Sequence, residues 1–150
     1  MEQLLSNLEV PQTLAEKGDL EGLKYAREKG CPWDKETTSA AAWGGHLECL
    51  KYAHDNGCPW HEKTTFFAAA GGHLECLKYA HDNECPWDEE TTCAAASGGH
   101  LECIVYAHDN GCPWHEQTDF FAAANGHLEI VDSLFVRHSN QRQTTGWCSK

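Results

Sequence analysis

The chain is poor in cations. Its 150 residues carry 11 lysines and arginines against 23 aspartates and glutamates, a formal charge of −12. No nucleic-acid partner is expected, because binding a phosphate backbone relies on a cationic surface that releases counterions. The acid surplus favours solubility and a basic partner. No apolar run approaches the length of a membrane span, so no membrane contact is expected. The opening MEQLLSNLEV holds two acidic residues and no basic cluster, and does not read as a signal peptide. CxxC pairs, a phosphate-cradling glycine loop and other catalytic signatures are also missing. Neither an enzyme nor a cofactor is expected.

What the chain does have is cysteine, nine in all. An odd count, no export signal and a fixed spacing argue against a disulfide scaffold and for a reducing, cytoplasmic setting. Cys148 stands too near the terminus for a prenylation box.

The spacing is the main signal. Gly-His recurs with histidine at His46, His73, His100 and His127, each the same step beyond the last. Cys-Pro-Trp keeps that step, from Cys31, Cys58, Cys85 and Cys112. A fixed period of this size marks a solenoid, whose units hide their apolar faces only by stacking. Within residues 58–84, Pro59 and Trp60 form a loop and a first helix follows through Ala70. Gly71-Gly72 should break it, since glycine reaches the left-handed conformation cheaply. A second helix should run from about His73 to Asn83, with Leu74, Cys76, Leu77 and Ala80 on one face. Gly57 and Gly111 stop the corresponding helices, while Glu84 replaces that glycine at a small local cost.

The expected organisation is one domain. Residues 1–30 form an atypical N-terminal cap, with Leu4-Leu5-Ser6 where Cys-Pro-Trp should stand. Units 31–57, 58–84 and 85–111 follow, then a drifting last repeat over 112–138 and a polar tail over 139–150. Divergent ends around near-identical middles suit a capped array.

The run from Gly72 to Tyr79, preceded by Ala68-Ala69, resembles the second-helix signature of the ankyrin repeat family. The resemblance covers roughly residues 7–138 in four in-phase copies. The family's usual unit has about 33 residues; this one is shorter, and alignment places the deletion at the β-hairpin finger. The TPLH tetrapeptide is absent too, with Glu36-Thr37-Thr38-Ser39 in its place. This short spelling resembles that of protist and giant-virus proteins. The resemblance implies an all-α solenoid of about five helix pairs with fingers shortened or absent. It further implies a monomeric, non-catalytic module that binds a partner protein.

Comparison of the copies inside the chain shows where a partner would be recognised. The second helices are nearly invariant: GGHLECLKYAHDN occurs twice, letter for letter. The first helices differ. One column reads Trp43, Ala70, Ser97, Ala124 and the next Gly44, Gly71, Gly98, Asn125. In the ankyrin register both columns fall on positions that usually touch partners. A preceding pair reads Lys35, Glu62, Glu89, Glu116 and Glu36, Lys63, Glu90, Gln117. Together they suggest a mostly acidic face with Trp43 as an aromatic anchor, although packing of Trp43 against its neighbour would look the same in sequence. The Phe66-Phe67 and Phe120-Phe121 pairs alternate with Ser39-Ala40 and Cys93-Ala94, a pattern expected of complementary core packing.

A second reading is a zinc-stabilised repeat. His54, Cys58 and His61, and again His108, Cys112 and His115, gather three borderline or soft ligands. A structural zinc needs four, and Arg27 replaces one member of the earliest set. In the ankyrin register His54 takes the place of a leucine, Cys58 of an alanine, Trp60 of a valine, and Cys49, Cys76 and Cys103 of an isoleucine. All of these read as filling and sealing of the core.

Overall fold

A computed structural model describes the backbone of residues 10–144 and the side chains of residues 10–136. The start of the expected cap, including Leu4-Leu5-Ser6, and Cys148 lie outside the described residues. Ten helices occur in the described part, in pairs, and no strand does. The first helices of the pairs are α1 (Pro11–Lys17), α3 (Lys35–Gly44), α5 (Thr64–Ala70), α7 (Glu89–Gly98) and α9 (Thr118–Ala124). The second helices are α2 (Leu20–Glu28), α4 (Leu47–Asp55), α6 (Leu74–Asp82), α8 (Leu101–Asp109) and α10 (Leu128–Thr144). The polar residues from Ser139 thus continue α10 as far as Thr144.

Each pair closes through its glycines. Gly45, Gly72 and Gly99 hold φ of 75°, 74° and 77°, ending the first helix in the left-handed region. A β-carbon on Gly45 would strike the ring of His73, the histidine that opens the next unit's second helix. Gly72 stands in the same way against His100. Each Gly-His pair therefore locks one unit onto its neighbour, which explains why the dipeptide keeps the period.

The core runs the length of the stack. Leu23, Leu50, Leu77 and Ile104 occupy one register position and are fully buried. Cys49, Cys76 and Cys103 occupy the preceding position, which Ile130 fills in the last unit, so these thiols do serve as small apolar side chains. Buried threonines tie consecutive units: the hydroxyls of Thr38, Thr65 and Thr92 donate to the carbonyls of Pro59, Pro86 and Pro113. In the last unit Asp119 stands at that place, and Thr118 Oγ1 and Asp119 Oδ1 find no hydrogen-bond partner among the described residues. The same end leaves Phe120, Leu128 and Phe135 exposed.

The first helices lie against one another far more closely than the second helices do. Their contact faces are alanine, with Ala41, Ala42, Ala68, Ala69, Ala95 and Ala96 fully buried, and small side chains let helices approach. Unequal spacing on the two sides bends the stack, with the first helices on its concave side.

Candidate functional site

The concave surface alternates in step with the residue after each Cys-Pro-Trp. In two units it is aspartate. Asp34 and Asp88 cap α3 and α7, accepting from the N–H of Glu36 at 3.0 Å and of Glu90 at 2.9 Å. In the other two it is histidine. His61 and His115 accept through Nδ1 from the N–H of Lys63 at 2.9 Å and of Gln117 at 3.0 Å, and α5 and α9 begin only at Thr64 and Thr118.

The side chains alternate in step. The aspartate units offer the small pairs Ser39-Ala40 and Cys93-Ala94; the histidine units offer Phe66-Phe67 and Phe120-Phe121. The phenylalanines do not fill the core as expected. Phe66 and Phe67 are half-buried on the concave surface, edge to face with ring centroids 5.5 Å apart, and Phe120 is exposed. The small pairs leave two depressions, one between the first unit's Gln12 and Glu16 and the Phe66-Phe67 pair, the other between the two phenylalanine pairs. The first, of about 230 Å³, has Ser39 and Ala40 against the rings of Trp43 and Phe67, with Glu16 and Glu36 on its rim. The second, of about 620 Å³, has Cys93 and Ala94 against Phe66 and Phe121, with Glu90 and Gln117 on its rim. One phenylalanine pair thus walls both, Phe67 on one side and Phe66 on the other.

Trp43 packs against its neighbour and also stays accessible. Half of its surface is exposed (50 %), and its edge meets Phe67 of the next unit with centroids 5.9 Å apart. Of the expected site residues, Glu36 and Trp43 meet at the first depression, and Ala70, Glu90, Ser97, Gly98 and Gln117 at the second. The others do not converge there. Lys35 pairs with Glu62 at 3.2 Å and Lys63 with Glu90 at 3.0 Å, a ladder along the exposed edge of consecutive units. Lys35, after the backbone N–H of Glu62 itself, holds the Glu62 carboxyl below its usual range. Glu89 and Glu116 are exposed on the same edge, where Lys35 has no counterpart. Gly44 and Gly71 lie against the rings of His46 and His73, and Ala124 and Asn125 are exposed at the C-terminal end. The residues missed were Gln12, Glu16 and the alternating small and phenylalanine pairs. The pairs had a signal, a doubled period of two units, whereas Gln12 and Glu16 in the atypical first unit had none.

The His/Cys/His sets do not converge on a point. His54 stacks on Trp60, with centroids 4.4 Å apart, and Cys58 turns inward to donate its thiol to the Asp34 carbonyl at 3.1 Å. His61 sits at the helix start already described. In the second set, His108 meets Trp114 edge-on and Cys112 donates to the Asp88 carbonyl at 3.3 Å. No group of three His, Cys, Asp or Glu side chains is placed to hold a metal ion among the described residues. Burial pushes the Cys58 thiol up to about 11 and that of Cys112 up to about 12, so both stay protonated at neutral pH. Cys93, in the second depression, is also raised by burial, partly offset by its bond to Ser97. None of these thiols has the depressed pKa that a nucleophile needs.

A family model described as ankyrin repeats (many copies) matches residues 38–81 and 92–135, more than half of the chain. Among solved structures, the crystal structure of the human ASB11 ankyrin repeat domain superposes with a TM-score of 0.72. That match covers 85% of this chain and 68% of that one at 18% identity, and likeness at that level is one of fold. No curated protein matches the chain.

Proposed function

We propose, from the premise that this chain belongs to the ankyrin repeat family, that its concave face binds a partner protein without catalysis. Ankyrin repeats are generally protein–protein interaction modules, and stacked repeats create extended concave surfaces suited to that use. The observation that carries the reading is Trp43. A large aromatic left half exposed on the first-helix face, beside a depression rimmed by glutamates, has the character of an interface anchor. Protonated thiols and histidines engaged in stacking or helix starts support the non-catalytic part. The partner is a protein with basic character, met by a monomer. Free, buried thiols suit a reducing intracellular setting. No helix among the described residues is long and apolar enough to cross a membrane.

Affinity capture from the source cell tests this. A variant with Trp43→Ala, Glu62→Lys and Glu89→Lys should lose at least about nine-tenths of the partner held by the unaltered chain, given that a hot-spot aromatic is worth about 2 kcal/mol. A control with Glu48→Lys and Glu75→Lys, on the second helices, should keep it. Equal capture by both variants would show that the concave face is not the interface.

A further inference from the structure

The two depressions share a construction, and that construction specifies a ligand. Each lies over a small pair, is walled by phenylalanine from a histidine unit, and carries acid on its rim. Resting on the reading of the concave face as the interaction face, we infer that the two depressions are sockets for one extended, basic peptide segment. That segment inserts two apolar side chains six positions apart.

The spacing follows from the fold. The sockets are centred on α3 and α7, two units apart. Packed helices stand about 8–10 Å from their neighbours, which separates the sockets by about 16–20 Å. An extended chain advances about 3.3 Å per residue and returns a side chain to the same face every second residue, so positions i and i+6 span about 20 Å. The shared phenylalanine pair forms the ridge that the intervening residues cross.

Socket size sets the order of anchors. The first is the smaller, because Trp43 occupies part of the space. Ser97 stands in the corresponding place of the second, which is wide enough for an aromatic ring. An aliphatic side chain fits the first and an aromatic one the second. Charge sets the rest. Glu16 and Glu36 rim the first socket and Glu90 the second, while Glu62, Glu89 and Glu116 line the exposed edge. Lys35 offsets Glu62, and Lys63, which also lies 5.4 Å over the Phe66 ring, offsets Glu90. The field therefore comes from Glu16, Glu36, Glu89 and Glu116, none of which has a lysine within ion-pair distance among the described residues. Lysines or arginines between the anchors complement this field, and acidic residues there oppose it.

The test uses the full chain and labelled synthetic peptides, read by fluorescence anisotropy. The probe is a lysine–serine peptide with one leucine and one tryptophan six positions apart, made in both orders. It should bind, and truncating either anchor to alanine should weaken binding by about tenfold or more. Anchors three positions apart should lose as much, and glutamate in place of lysine should abolish binding. Ser39→Phe and Cys93→Phe each install the residue that the alternate units hold at that position and fill one socket, with an unchanged Tm as the check that each variant folds. Each should weaken the probe about tenfold, and Trp43→Ala provides a second, smaller-side-chain check on the first socket. Affinity indifferent to anchor spacing, or unchanged in both phenylalanine variants, overturns the inference. If no peptide binds while the Trp43 triple variant still loses its captured protein, the two-socket inference fails and the concave-face reading survives.

Discussion

At the scale of single residues, the period explains more than chemistry does. A stretch such as HDNGCPWH collects metal-ligating residue types, but each has a separate structural duty. His54 supports a tryptophan, Gly57 turns the chain at φ 85°, Cys58 fills a small buried site, and His61 does at a helix start what aspartate does in neighbouring units. Arg27, which broke the ligand set, is accounted for in the same way: it lies 4.4 Å over the ring of Trp33 as His54 lies over Trp60. The residue that departs from the pattern carries the strain. Glu84 has φ 67°, the one non-glycine with positive φ among the described residues, where the equivalent positions hold Gly30, Gly57 and Gly111. A left-handed conformation costs an ordinary residue about 1–2 kcal/mol, part of which glycine returns through its freer unfolded chain. Glu84→Gly should therefore raise stability by about 0.5–1 kcal/mol in chemical denaturation. A loss of stability would mean that the Glu84 side chain contributes more than its backbone costs.

At the scale of elements, the connecting loop seals the joint between second helices. Trp60 follows α4, stacks on His54 from that helix, meets Tyr79 of α6 edge-on, and donates its indole N–H to the Asn83 carbonyl at 3.0 Å. Trp87 repeats the arrangement with His81 and Tyr106. The joint is further tied by the Tyr79 hydroxyl, which donates to Asp55 of the preceding helix at 2.9 Å. Trp60→Ala removes a half-buried ring and a hydrogen bond, and should cost about 2 kcal/mol. That corresponds to a Tm lower by roughly 4–8 °C for a chain of this size, while Trp60→Phe should fall between. An unchanged Tm for Trp60→Ala would show that the loop does not hold the joint.

The pairing of helices, their glycine stops and the sealing role of this tryptophan were legible in the sequence, because glycine, proline and apolar spacing act locally. The concave surface was legible only in part: the expected site residues Glu36, Trp43, Ala70, Glu90, Ser97, Gly98 and Gln117 stand at its depressions, but the phenylalanine pairs were not placed there. Orientation of a helix is read from contrast between a polar and an apolar side, and the first helices offer little contrast. Thr37, Thr38, Thr64 and Thr65 are buried despite their hydroxyls, which find carbonyls or thiols in adjoining units, whereas Phe67 and Trp43 face outward. Polar residues within and aromatic residues without invert the usual inference. The phenylalanine pairs were accordingly expected in the core, and the depressions they form had no signature except the doubled period.

At the scale of the whole molecule, two columns of buried thiols couple stability to alkaline pH. Burial raises Cys58, Cys76, Cys85 and Cys103 to about 11 and Cys112 to about 12, from an ordinary value of 9.0. The folded chain then holds these protons more tightly than the unfolded chain does. Their contribution is complete below about pH 9 and is lost as pH rises toward 11–12, by at most about 1.4 kcal/mol per pH unit for each thiol. Thermal scans should give a Tm that thiol ionisation leaves unchanged from pH 7 to 8.5 and that falls steeply from pH 9 upward. A variant with Cys76→Ala and Cys103→Ala should start lower and fall less. Parallel curves for the two proteins would show that ionisation of these thiols does not drive the loss.

The alternation of aspartate and histidine units gives the array a parity. Odd and even units share one backbone design but carry different faces, so a unit's neighbours matter as much as its own sequence. Losing or gaining a single unit would bring like against like at the junction, small pair beside small pair or phenylalanine beside phenylalanine, and reverse every position after it. Losing or gaining two would leave each unit beside the kind of neighbour it has now. The indivisible module of this chain is thus the couple, as in 31–84 or 85–138, and growth or shrinkage of such an array that preserves its surface proceeds by twos.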